Sequence, residues 1–187
     1  MSLLPVIITA FVSTNIDDLF LLTLFFTQAK SKKDYQTIII SQLLGIYTIL
    51  ITSIILGNLL TSTDVLPIHL LGAIPFTIGM IGFVKFIKHK NIPTTDVTQT
   101  KLAIPTLTLI TLSNGSNNLS VYLPLFSQYS YLETLLVIIT FGVMVLLWCL
   151  AGSWLSKNNL LEKTLERVSD WLVPIVYICL GLIIFFN

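Results

Sequence analysis

Charge is what this chain has least of. Lysine and arginine number 10 and aspartate and glutamate 9 in 187 residues, a charged fraction of 10%, against 55% hydrophobic residues and a mean hydropathy of +0.91. Soluble domains carry about 25% charged residues, so a water-soluble globular fold is excluded. A net charge of +1 offers no basic surface for nucleic acid and no acidic one for a basic protein. Cysteine is scarce as well: Cys149 and Cys179 fall in separate apolar runs with no CxxC spacing. That excludes a thiolate-clamped zinc ribbon and leaves two buried structural thiols as the ordinary reading. There is no GxxxxGK[ST] phosphate loop, and the longest polar stretch, Lys88 to Lys101, leaves no room for a soluble catalytic or nucleotide-binding domain.

Apolar sequence is what remains, and it divides at its polar clusters into six runs of about the 20 residues that a membrane-spanning helix needs. They cover approximately 3–27, 36–60, 66–87, 103–127, 132–155 and 169–186. The first lacks a basic leader and carries Asp17 and Asp18 in its middle, so it reads as a retained helix and not as a signal peptide. Every Lys and Arg lies in or beside one of three connectors: Lys30, Lys32 and Lys33; Lys85, Lys88, Lys90 and Lys101; Lys157, Lys163 and Arg167. All three fall on one face only if all six runs cross, and the positive-inside rule makes that face cytoplasmic. The expectation is a multi-pass protein with both termini on the outer face and the lipid bilayer as its constant partner.

The two halves repeat. A shift of one hundred residues superposes Ser13, Asp17, Asp18, Leu19, Phe26, Thr27 and Gln28 on Ser113, Asn117, Asn118, Leu119, Phe126, Ser127 and Gln128. A shift of ninety-nine superposes Pro75, Gly82 and Phe86 on Pro174, Gly181 and Phe185, whereas runs two and five show no alignment. With an odd number of spans per half, the repeat is inverted, a construction typical of secondary transporters whose substrate site lies near the bilayer midplane. The fold class expected is therefore an all-α integral membrane protein, six transmembrane helices as two inverted three-helix repeats. It forms a single transporter domain over 1–187, with repeats at about 1–90 and 101–187.

Asp17 and Asp18 sit at the centre of run one, where each ionised carboxylate costs about 2.5 to 3.5 kcal/mol. Thr14 and Asn15 flank them, and run four offers Ser113, Asn114, Gly115, Ser116, Asn117 and Asn118 at matching depth. An antiparallel crossing of runs one and four collects two carboxylates and several amide oxygens, ligands suited to a divalent cation. Protons taken up when the cation leaves would make the cycle a metal-for-proton exchange. Gly115 is a place for run four to unwind and expose carbonyls, and Pro75, Pro124 and Pro174 are places for bends. The plainer reading makes the aspartates interhelical hydrogen-bond formers only. Adjacent residues are about 100° apart on a helix, which leaves open that one of the two binds while the other caps. Cys149, Cys179, Met80 and Met144 are single and scattered, His69 lies at the outer end of run three and His89 in the basic connector after it.

Ser13-Thr14-Asn15-Ile16-Asp17-Asp18-Leu19-Phe20, Asn114-Gly115-Ser116-Asn117-Asn118, Val121-Tyr122-Leu123-Pro124-Leu125-Phe126 and Leu71-Gly72-Ala73-Ile74-Pro75 together resemble the bacterial cadmium resistance transporter (CadD-like) family, within the wider lysine exporter superfamily. The likeness extends over essentially the whole chain, and it departs at Asn117, where the family pattern has an aspartate. The resemblance implies a plasma-membrane protein that is not an enzyme: a secondary efflux transporter for divalent heavy metals, cadmium foremost, with the cation as substrate and no resident cofactor. Its site would comprise Asp17, Asp18, Asn15, Asn114, Asn117 and Asn118. The competing readings are an exporter of an amino acid or other small organic solute and, more remotely, a non-transporting membrane subunit. A two-aspartate intramembrane protease would need carboxylates on two helices, and run four offers only amides.

Overall fold

The computed structural model describes residues 3–62, 73–88, 102–127 and 129–157, together with Pro174, Ile175, Ile178, Cys179 and Leu182. Among the described residues all regular structure is helical: α1 (Leu3–Thr14), α2 (Ile16–Gln28), α3 (Lys32–Ser62), α4 (Ala73–Ile87), α5 (Ile104–Asn114), α6 (Leu119–Phe126) and α7 (Tyr131–Leu155), with a 3-10 turn over Gly115–Asn118 joining α5 to α6. Helices α3 and α7 are each long and apolar enough to cross a membrane; α1 and α2, a pair bent by 57° at the break between them, pass the same test together and count as a third candidate if the two are one span. The expected third run enters as α4, and its first residues, 66–72, lie outside the described residues. So does nearly all of the sixth run.

The two long helices start at polar caps that fix where they begin. The backbone N–H groups of Lys30 and Ser31 donate to Asp34 Oδ2 at 3.0 and 2.9 Å, and Ser31 Oγ accepts from the Asp34 N–H at 3.2 Å. Ser130 and Glu133 make the same reciprocal pair at the head of α7, with the Ser130 N–H 2.8 Å from Glu133 Oε2. Each pair satisfies N–H groups that the first helical turn leaves without partners.

The long helices exchange partners between the halves. Helix α3 lies along α5 and α6, while α7 lies along α1 and α2. Glycines permit the approach: a Cβ at Gly45 would stand 2.6 Å from Thr111, one at Gly57 2.8 Å from the Leu123 carbonyl, and one at Gly152 2.8 Å from Leu22 Cβ. Small residues at such seams let helix backbones close where van der Waals packing replaces the hydrophobic effect. Between the halves sits an aromatic cluster. Phe141 packs edge-on against Phe11, Tyr122 and Phe126 at centroid distances of 5.2, 5.1 and 5.8 Å, and Trp148 packs edge-on against Phe11 at 5.3 Å. It ties α1, α6 and α7 together directly beside the polar residues.

Candidate cation site

The first apolar run is not one helix, a break the sequence did not announce. Three consecutive side chains turn back onto the end of α1: Ser13 Oγ donates to the Thr9 carbonyl at 2.6 Å, Thr14 Oγ1 to Ala10 at 2.7 Å, and Asn15 Nδ2 to Phe11 at 2.8 Å. Such back-bonding competes with the helical ladder and bends helices. Asn15 leaves the helix at φ −118° and ψ 17°, and its carbonyl accepts the Trp148 indole N–H at 2.7 Å. The fourth run breaks one hundred residues later, at the Gly115–Asn118 turn. There the run does not unwind as expected: a 3-10 turn, wound more tightly than an α-helix, interrupts it, and Gly115 has an ordinary φ of −81°. The small residue here leaves space for α3, since an added Cβ would meet the tip of Ile49, its Cδ1, at 2.6 Å. Pro124, by contrast, lies inside α6 without ending it.

The two breaks meet. Asn114 Nδ2 at the end of α5 donates to Asp18 Oδ1 in the first turn of α2 at 2.7 Å, and the same amide interacts with Asp17, so both carboxylates converge on one side chain despite their spacing on the helix. Asn118 Nδ2 reaches Asn15 Oδ1 at 3.4 Å. The Asn15 amide also donates to the Tyr122 hydroxyl at 2.7 Å, and Tyr122 is bonded to Thr14 Oγ1 at 2.5 Å. Because the Thr14 proton goes to Ala10, the tyrosine is the donor to Thr14. Asn15, Asp18 and Asn118 are buried, and Asp17 and Asn114 are half-buried. Asn117 is not brought into this network: its side chain is exposed, and its carbonyl accepts the Ser120 hydroxyl at 2.6 Å.

Residues that the sequence reading passed over complete the site. Gln42 of α3 is 4% exposed, accepts a hydrogen bond from Thr111 Oγ1 at 2.9 Å, and lies close enough to Asp18 to act on its carboxyl. Tyr122 and Trp148 hold the two ends of the Asn15 break. A polar residue in the midst of an apolar run is the signal that would have found Gln42. The other two are visible only once α6 and α7 are packed.

Asp18 Oδ2 is buried and has no hydrogen-bond partner among the described residues. An unpaired buried carboxylate oxygen is expensive, and a cation offsets that cost. No three His, Cys, Asp or Glu side chains are gathered at metal-holding distance among the described residues. The polar groups assembled here are two carboxylates, amides and hydroxyls.

Apolar helices of spanning length, two of the runs broken at polar residues, and a carboxylate pair at their meeting point, Asp18 buried and Asp17 half-buried, define a helical membrane protein of the transporter class. The chain belongs to the cadmium resistance transporter family, whose pattern matches residues 11–187. No curated protein and no solved structure matches it.

Proposed function

We propose that the protein is a secondary efflux transporter that carries divalent heavy-metal cations, cadmium foremost, out of the cell across a bacterial plasma membrane. The observation that carries the reading is Asp18 Oδ2, buried without a partner where the two broken segments cross. In this reading Asp17 and Asp18 neutralise the ion. Asn15, Asn114 and Asn118, joined by Gln42, supply amide oxygens once their donors turn away from the carboxylates. Asn117, exposed on the turn, lies on the approach to the site. Protons replace the cation on the return step, and no nucleotide or resident cofactor enters.

Six crossings, inverted repeats and outward-facing termini belong to the same proposal. They are supported by the three basic connectors, by breaks one hundred residues apart, and by the exchange of α3 and α7 between the halves. The exposed apolar stripe of α7, with Ile139, Val143, Leu146 and Leu150, suits contact with lipid. Placement within the lysine exporter superfamily stands with these as a proposal.

The deciding experiment measures cadmium accumulation and growth in a metal-sensitive bacterium expressing the chain beside Asp17→Asn and Asp18→Asn variants of equal membrane abundance. Zinc, manganese and lysine serve as parallel challenges. Lower cell cadmium with the parent and not with Asp18→Asn is the expected result. Relief of the lysine challenge alone would move the assignment to an organic-solute exporter.

A further inference from the structure

We infer that the Cys149 thiol is a soft ligand for the cation held at Asp18 and sets the preference for cadmium over hard divalent ions. The inference rests on the cadmium-export reading and names its specificity residue.

The placement follows from contacts on either side of the residue. The Trp148 indole bonds the Asn15 carbonyl at 2.7 Å, and Gly152 lies so close to α2 that a Cβ would stand 2.8 Å from Leu22 Cβ. Between these two contacts α2 and α7 run in the same direction. Asp18 is four residues before Leu22, and Cys149 is three before Gly152, so each lies one turn from the close approach and on the same seam. Both are buried, Asp18 at 1% and Cys149 at 2% exposure. Independently, Asp18 Oδ2 has no partner among the described residues.

Carboxylate, amide and hydroxyl oxygens alone suit magnesium, calcium and manganese, whereas sulfur selects softer ions. The oxygen groups at the crossing therefore do not account for a cadmium preference, and a thiol on the adjoining seam does. The ligands are not gathered in the empty protein. Ligation draws Cys149 towards Asp18 as the ion arrives: the S–H bond breaks, its proton passes to water, and the sulfur keeps the electron pair it donates to the metal. Cys179 is exposed and serves as the internal control.

The test uses the purified full chain titrated with cadmium while the ultraviolet sulfur-to-cadmium charge-transfer absorption is followed, with manganese as competitor. The parent and Cys179→Ser should both develop the absorption. Cys149→Ser and Cys149→Ala, each eluting from size exclusion like the parent, should lack it, and manganese should displace cadmium from them at concentrations about tenfold lower or less. Absorption that survives Cys149→Ser, or unchanged displacement by manganese, overturns the role of Cys149 while parental cadmium export leaves the wider reading intact. A parent that neither binds nor exports cadmium overturns both.

Discussion

The buried polar chain from Asn118 through Asn15 and Tyr122 to Thr14 works as a unit, so its members differ in what their loss should do. Tyr122→Phe removes the hydroxyl that accepts from Asn15 and donates to Thr14, while those two keep each other and the Phe11 and Ala10 carbonyls as partners. A loss of about 0.5 to 1.5 kcal/mol in stability is expected, read as a lower thermal midpoint in detergent. At the other end of the site, Asn114 donates to Asp18 at 2.7 Å while Asn117 is exposed. Asn114→Asp should therefore impair cadmium export severely by setting a third acid against the carboxylate pair, whereas Asn117→Asp should change it little. Equal effects in a flux assay would mean that Asn117 enters the site in another state. The sequence singled out Asp17, Asp18, Asn15, Asn114 and Asn118 because polar residues at membrane depth are rare. It could not rank Asn117 below them, since a 3-10 turn rotates neighbouring side chains differently from the helix assumed in counting.

Among elements, the breaks in the first and fourth runs and the closeness of the long helices decide the architecture. The break at Gly115 was legible in its glycine; the one at Asn15 was not, because it depends on Ser13, Thr14 and Asn15 folding back together and on an indole from α7. The glycines at these seams are not equivalent. A methyl at Gly115 meets the mobile tip of Ile49, but one at Gly57 meets the Leu123 carbonyl and the Ser127 backbone. Gly115→Ala is thus expected to be tolerated, and fully so with Ile49→Val, while Gly57→Ala forces two helices apart at a cost of about 1 to 3 kcal/mol. Thermal denaturation of the two variants side by side distinguishes them. Similar midpoints would show that α3 and α6 can slide apart freely.

For the molecule as a whole, composition revealed a membrane protein of helices, and the basic connectors gave a direction to it. Pairing across the halves was hidden, since runs two and five carry no sequence likeness from which their partners could be read. The expected direction can be checked in cells. On a Cys179→Ser background, a membrane-impermeant thiol reagent should label Tyr131→Cys from outside and Lys32→Cys only after the membrane is opened. Tyr131 is 83% exposed at the head of α7, and buried Cys149 should remain silent. Labelling of both from outside would mean an even number of crossings between them and overturn the expected three.

The exchange of long helices also has a consequence in time. A growing chain delivers the first run, with its two aspartates, long before the α7 residues that cover it, and the indole that grips Asn15 emerges among the last. Until then the acidic segment has no lasting home in hydrocarbon and must wait at the insertion machinery or the bilayer surface. Ribosomes stalled before residue 131 should hold a first run that is still extractable or protease-accessible, and stalling after residue 155 should fix it in place.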